Sequence, residues 1–248
     1  MSELEKDRLI LELEQRINRL EGKNNEGKPT YSFSKIKSEE LETIVDITHN
    51  FDRTIFDDWF DNSYLVDADI SLFLENLLEK EGKYLNYYYE ENLKIKFLTP
   101  IFNKIDFNID IENINIKDFY EEKLIYETDR FIFNGTVDFT IAQGKIKSTR
   151  PYFFIQEFKK GKMNTDPEPQ LLAELISAIE LNNELRMKGA YIVGENWNFV
   201  ILEKLGKDKY QYFVSRTFNA TNMEDLKNIY KNLVSVKNEI ITKVQEKK

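Results

Sequence analysis

The segments 135-GTVDFTIA-142 and 151-PYFFIQEFKK-160 decide the reading of this chain. Each has the period of two that an extended strand imposes, alternate side chains pointing to opposite faces. In the second segment Phe153, Ile155, Glu157 and Lys159 share one face, and Tyr152, Phe154, Gln156 and Phe158 share the other. Both faces are largely apolar, as in a strand buried on two sides, so an acid and a lysine near its C-terminal end are out of place. Desolvating an unpaired carboxylate costs on the order of several kcal/mol, so Glu157 must be paired, protonated or bound to a cation. In the first segment Val137, Phe139 and Ile141 form the apolar face, leaving Thr136, Asp138 and Thr140 on the other. If the strands pair as a hairpin through Gly144 to Pro151, Asp138 comes to lie beside Glu157. Two adjacent carboxylates repel, and a divalent cation between them is the ordinary remedy. Lys159 would point into the same pocket, where an ammonium can orient and acidify water or stabilise charge on a phosphate oxygen.

The strand pattern extends outward. KLIYETD (123–129) and RFIFNGTVDFTIAQG (130–144) precede the Glu157 strand, with turn signals at Asn134-Gly135, Gly144 and Pro151. TDPEPQLLAELISAIELNNELRMKG (165–189) reads as a helix with Thr165 or Asp166 as N-cap and Pro167 in its first turn. AYIVGE, WNFVILEKL and KYQYFVSRTF read as further strands, and residues 222–247 as a closing amphipathic helix. Upstream, 39-EELETIVDITHNFDRTIFDDWF-60 suggests one or two helices, and residues 71–105 two more. In the latter, Glu90, Leu93, Phe97 and Ile101 fall on one stripe and Pro100 marks a kink or the last turn. Residues 4–21 carry Ile10, Leu13, Ile17 and Leu20 at helical spacing, packing on their own domain or pairing as a short coiled coil; residues 22–30 read as a linker. The expected organisation is an N-terminal amphipathic helix and linker (1–30), a helical extension (31–83) and an α/β domain with a C-terminal helix (84–248).

Composition narrows the chemistry. The 248 residues include no Cys and one His, His49, with 44 acidic residues against 35 basic ones, a formal charge of −9. Disulfides, thiol catalysis, thiolate zinc sites and any site needing two imidazoles are excluded, and no nucleophile-elbow motif surrounds a serine. What survives is carboxylate chemistry, with Mg²⁺ or Mn²⁺ if a metal is used. No apolar run reaches membrane-spanning length and the N-terminus alternates charge with Leu and Ile, so a cytoplasmic protein with no membrane partner is expected. The acidic balance argues against long-range capture of nucleic acid, although a local basic strip could hold a phosphate backbone.

Asp138, followed 19 residues later by Glu157-Phe158-Lys159 at the end of a hydrophobic strand and then by a helix opening with Gln170, resembles the PD-(D/E)XK nuclease superfamily. More narrowly, the chain is similar to the N-terminal endonuclease domain of type I restriction enzyme motor subunits and its stand-alone relatives. YEENLKIKFLTPIF, GTVDF, FIQEFKK, PQLLAELISAIE and GAYIVGENWNFVILEK carry the likeness, over roughly residues 84–205. It implies a restriction-endonuclease-like core, a mixed central sheet flanked by helices, with added terminal helices. It also implies a Mg²⁺- or Mn²⁺-dependent nuclease acting on DNA through a metal-activated water. Asp138 and Glu157 would be metal ligands, the Phe158 carbonyl a third, and Lys159 the water-activating or charge-stabilising group. Glu90 would be an auxiliary acid, and Gln170 would orient the site or touch phosphate. The leading Pro of the family's motif is Val137 here, and no helicase or Walker motif is present.

Plainer readings stand beside these. Asp138 could be an exposed strand acid, and Glu157 and Lys159 an ordinary ion pair at a strand end. Glu90 could be a helix N-terminal acid favoured by the macrodipole, and Gln170 a first-turn polar residue. The tyrosines 84, 87, 88 and 89 could stack on bases, although helix packing is the commoner use. His49 reads as a surface or cap residue. Lys160 and Lys162, with Lys145, Lys147 and Arg150 in the preceding hairpin, are the candidates for nucleic-acid backbone contact. A different class, a non-catalytic nucleic-acid-binding or interaction module on the same fold, is the alternative function. A homodimer through the N-terminal or C-terminal helix is a further alternative partner.

Overall fold

The computed structural model describes residues 27–111, 114–159 and 166–246. The amphipathic segment 4–21 and most of the linker lie outside the described residues. Strand β1 (Thr30–Ser32) leads through a 3₁₀ turn (Phe33–Lys35) to helix α1 (Ser38–Ile44) and strand β2 (Asp46–His49). A second 3₁₀ turn (Arg53–Phe56), α2 (Asp57–Phe60), α3 (Ala68–Glu81) and a 3₁₀ segment (Gly82–Tyr87) follow. Then α4 (Glu90–Leu93) runs through a π turn (Lys94–Leu98) into α5 (Thr99–Ile105). Next come β3 (Ile109–Ile111), β4 (Ile114–Glu127), β5 (Ile132–Gln143), β6 (Thr149–Lys159), α6 (Glu168–Asn182), β7 (Arg186–Val193), β8 (Asn196–Gly206), β9 (Lys209–Val214), β10 (Phe218–Asn219) and α7 (Met223–Glu246).

The ten strands among the described residues join one mixed sheet in the order β2-β9-β8-β7-β6-β5-β4-β3, with β1 beside β5 and β10 beside β8. The β3–β6 run is an antiparallel meander, whereas β6 and β7 are parallel, which requires a crossover that α6 provides. Helices cover both faces. On one, α3, α5 and α7 bury a cluster rich in aromatics, including Phe97, Phe102, Phe139, Phe154, Phe158, Trp197 and Phe199. On the other, α1 and α6 pack over Phe33, Phe133, Val137, Ile155 and Val200. Helix α6 is buried on nearly every side because Ala173, Ser177 and Ala178 let it approach the sheet while Leu171, Leu175, Ile176 and Ile179 fill the remaining space. At Gly189 of β7 a Cβ would meet the Ile155 carbonyl oxygen at 2.9 Å and a Leu175 methyl at 3.0 Å, so that contact admits glycine alone.

The structure corrects several local expectations. Residues 31–83 are not purely helical: β1 and β2 join the sheet, and the Val45-Asp46-Ile47-Thr48-His49 run, β-branched at alternate positions, pairs in parallel with β9. The meander begins well upstream of Lys123, with β3 from Ile109 and β4 from Ile114, and Asn134-Gly135 lies inside β5; the β4–β5 turn is closed at Thr128 and Phe131. Pro100 does not end the helix but sits at the start of α5, directly after the π turn, whose wider ring accommodates the missing N–H. The apolar stripe of α7, from Leu226 through Leu233 and Ile240 to Val244, lies in the chain's own core instead of presenting a face to a second copy. Among the described residues no helix is long and apolar enough to cross a membrane.

Gly135 shows how tightly β5 is packed. A Cβ there would lie 2.7 Å from Cδ2 of Phe33, which is itself fully buried. Gly135→Ala is expected to cost about 1–3 kcal/mol through overpacking, read as a lower urea midpoint at unchanged m-value. An unchanged midpoint would show that Phe33 can shift freely.

Candidate active site

Strand β5 changes partner along one edge. Its first residues pair with β1, Ile132 to Asn134 against Thr30 to Ser32, while its second half pairs with β6 from Phe139↔Gln156 onward. Asp138 sits at the fork between them. Extending the β6 register by one residue sets it across from Glu157, and the carboxylate takes over as acceptor for the main chain: Phe158 N–H donates to Asp138 Oδ2 at 2.8 Å. In an extended strand the N–H and C=O of one residue point toward the same neighbour. The Phe158 carbonyl is therefore directed to the Asp138 side, whereas the Lys159 carbonyl, bonded by Gly194 N–H at 3.0 Å, is directed to β7.

The expected trio is thus brought together. Glu157 is fully buried and Asp138 nearly so, and Lys159 Nζ forms an ion pair with Glu157 Oε1. The second oxygen, Glu157 Oε2, has no protein partner. Burial first, and the Asp138 charge second, push the Glu157 carboxyl well above the usual carboxylate range, against the opposing effect of Lys159. Asp138 is raised by burial, an effect moderated by the Phe158 N–H and by Lys159 and Lys94. Burial alone would lower the Lys159 ammonium, but Glu157 and Asp138 outweigh it and the group keeps its proton. Glu90, half-buried at the start of α4, is raised by burial and by Asp138 and also feels Lys159, which places it at the rim of the same cluster. Gln170 is buried in the first turn of α6, and its Nε2 donates to Glu174 Oε1 at 3.1 Å.

Three further groups belong to the site and escaped the sequence reading. Glu174 has no exposed surface, carries a second unpartnered oxygen, and is pushed far up by burial and by the Glu157 charge. Its signal was the one-turn spacing from Gln170, which puts both on the face of α6 that meets β6. Glu121 stands across from Asp138 on the β4 side: the β4–β5 register runs through Tyr120↔Phe139 and Glu122↔Val137, and Glu121 between them adopts φ 53°, a left-handed conformation uncommon for a residue with a Cβ. Lys94, in the π turn, is buried and ion-paired with Glu121 and with Glu91 (3.3 Å), its Nζ 5.9 Å from the Phe158 ring centroid. The contacts with Glu121 and Asp138 overcome the effect of burial and raise its affinity for a proton. A row of acids therefore crosses β4, β5 and β6, bracketed by two ammonium groups.

The hairpin cations are elsewhere. Lys145 and Lys147 are exposed in the β5–β6 turn and Arg150 donates to the Leu181 carbonyl at 3.1 Å. Eight strand residues, roughly 25 Å, separate that turn from Glu157, because the site lies at the opposite end of β6. Lys160 and Lys162 lie outside the described residues. A cavity of about 490 Å³ also lies at the far end, lined by Tyr152, Asn182, Lys188 and Glu239 among others. Its polar groups serve one another, Lys188 pairing with Glu239 and Asn182 with the Tyr152 main chain, so it is not part of this centre. His49 is stacked between Phe51 and Tyr212, with ring centroids 4.1 and 4.5 Å away, a packing role in β2.

Oxygen donors dominate the fork, and the unpartnered Glu157 oxygen beside Asp138 and the Phe158 carbonyl fits a hard divalent cation. Among the described residues no three Asp, Glu or His side chains already converge as a closed cage, so the main-chain carbonyl would have to complete the set. No protein-family model and no curated protein matches the chain.

The raised carboxyls set a pH dependence. In the metal-free protein Glu157 and Glu174 hold protons that their unfolded counterparts release above about pH 4.3, so the folded state binds more protons and stability falls as pH rises. The loss starts at the ordinary glutamate range and continues upward through neutrality, at up to about 1.4 kcal/mol per pH unit for each group. Urea titrations between about pH 5 and about pH 8 in chelator are expected to show declining stability, with Glu174→Gln flattening the slope. A slope unaffected by that substitution would contradict the assignment.

Proposed function

We propose that this chain is a metal-dependent nuclease that hydrolyses phosphodiester bonds, with DNA as its substrate class, on a restriction-endonuclease-like core. One observation carries the reading: at the fork of β5 and β6, two desolvated carboxylates share a face with an ammonium, and one carboxylate oxygen has no protein partner. A structural ion pair needs one acid for one base. Here Asp138, Glu157, Glu174, Glu121 and Glu90 surround Lys159 and Lys94, a surplus of acidic groups whose ionisation a divalent cation would favour.

Asp138, Glu157 and the Phe158 carbonyl would hold Mg²⁺ or Mn²⁺, whose chemistry when bound is Lewis-acid stabilisation of phosphate oxygens and activation of water. The Phe158 N–H fixes one Asp138 oxygen, leaving the other to face the gap. Lys159, on the same strand face as Glu157, orients the attacking water and stabilises charge developing on the phosphate. Lys94, held by Glu121, supplies a second positive charge for the incoming phosphodiester. Glu90 at the rim accepts a hydrogen bond from water entering the site, and Gln170 acts through Glu174 to support the cluster from α6.

Lys159→Ala is expected to slow plasmid hydrolysis in Mg²⁺ by about 100-fold or more while leaving the folded state intact by circular dichroism. Equal rates for the two proteins would overturn the reading. Binding of Mn²⁺ is measurable without turnover. Calorimetric titration should show uptake by the wild type that Glu157→Gln abolishes, accompanied by a rise in Tm for the wild type alone. Undiminished uptake by the variant would place the ion elsewhere.

A further inference from the structure

Four tyrosines precede Glu90, at 84, 87, 88 and 89. Only Tyr88 is turned inward: its hydroxyl donates to the buried Glu81 of α3, and Lys96 Nζ lies 5.0 Å from its ring centroid. This anchors the segment to α3. The other three face outward, Tyr84 at 44% exposure and Tyr87 and Tyr89 at 69% each. With Ile95 they make up four of the eleven exposed large apolar side chains among the described residues, all within residues 84–95. Helix packing, the commoner use of such residues, does not account for rings that face water, and exposed apolar surface concentrated in this way marks a binding surface.

The local geometry sets two of the rings in line. Residues Gly82–Tyr87 form a 3₁₀ segment with three residues per turn, so Tyr84 and Tyr87 stand on the same side, ~6 Å apart along its axis. Tyr89 is the N-cap of α4 and the immediate neighbour of Glu90, the acid at the rim of the carboxylate cluster. One ammonium lies against an exposed ring, Lys83 Nζ at 4.9 Å from the Tyr84 centroid, and Tyr84 in turn packs against Tyr88 with ring centroids 5.9 Å apart. Beside Tyr87 opens a hollow of about 450 Å³, lined also by Lys83, Asn86, Glu195 and Thr221, which offers polar partners of both signs to a base edge.

A duplex keeps the flat faces of its bases stacked inside, whereas a single strand presents both base faces and phosphates to a binding surface. Neighbouring exposed rings suit the second and contribute nothing to the first. Among the described residues the hairpin lysines, candidates for duplex backbone contact, lie at the far end of the sheet from the carboxylates, on a chain of charge −9. We propose that Tyr84, Tyr87 and Tyr89 form a stacking platform that binds single-stranded nucleic acid and leads it past Glu90 to the carboxylates. The direction of travel rests on the nuclease reading; the preference for a single strand does not.

Fluorescence anisotropy with a labelled DNA strand of about 15 nucleotides, alone or annealed to its complement, tests this in Ca²⁺. The single strand is expected to bind at least about tenfold more tightly than the duplex. The double substitution Tyr87→Ala, Tyr89→Ala should weaken single-strand binding about tenfold or more, change duplex binding less than about twofold, and leave the melting curve unchanged; the double Phe variant should bind like wild type. Equal wild-type affinities for the two forms, or single-strand binding untouched by the alanines, overturns the proposal. Exchange of Ca²⁺ for Mg²⁺ judges the nuclease reading separately. Tyrosine-dependent single-strand binding without strand scission keeps the platform and removes the nuclease, and scission without that preference does the reverse.

Discussion

Burial of like charges at the β5–β6 fork is the constraint on which the rest of this structure depends. Asp138, Glu157 and Glu174 are each removed from water, and among the described residues Lys159 is the ammonium in direct contact with Glu157. In a low-dielectric interior such an arrangement is stable only if protons, ammonium groups or cations offset the surplus charge. The backbone around it is correspondingly irregular. A carboxylate replaces a main-chain acceptor at Phe158, Glu121 takes a left-handed conformation opposite Asp138, and a π turn carries Lys94 to meet Glu121. A left-handed residue with a Cβ costs about 1–3 kcal/mol, and such irregularities persist where surrounding structure holds them in place.

What holds them is the two-sided core. Phe158 lies under the fork with its ring in the aromatic cluster beside Phe102 and Phe139, so the residue that donates to Asp138 cannot move without disturbing that packing. On the other face α6 delivers Gln170 and Glu174 from a helix buried almost all round. Its start is fixed by Glu168, which accepts from the hydroxyls of Tyr191 at 3.2 Å and Tyr212 at 2.9 Å. The carboxylates thus sit on rigid elements on every side. On the proposed nuclease reading this is the preorganisation that charge stabilisation requires, since dipoles fixed before substrate arrives need not reorganise during the reaction.

Much of the site could be read from periodicity. Alternation in β6 put Glu157 and Lys159 on one face, and alternation in β5 separated Asp138 from Phe139 and Ile141, but Val137, expected beside those two, packs in the core on the other side of the sheet, because the strand is irregular where Glu121 faces Asp138. The same reasoning failed where the relevant contact was not along a strand. Lys145, Lys147 and Arg150 are close to Glu157 in sequence but occupy the other end of the hairpin, because a strand of this length separates its two ends by more than a charge interaction can span. Glu174 looked like any polar residue in a helix, and nothing in a helical pattern says that both its flanks are covered. Lys94 and Glu121 lie 27 residues apart and meet through two backbone irregularities that no propensity encodes.

The amino-acid sequence by itself determined the α/β class, the exclusion of thiol and multi-imidazole chemistry, and the shared face of Glu157 and Lys159, since each follows from composition or from a two-residue repeat. Tertiary structure alone decided that β1 and β6 part at Asp138, that Glu174 is brought against Glu157, and that Lys94 rather than the hairpin lysines faces the acids. Those outcomes depend on which strands become neighbours and how their register is set. That is a property of the whole folded sheet, because the free energy of each pairing is fixed by the packing of both faces and not by any single segment.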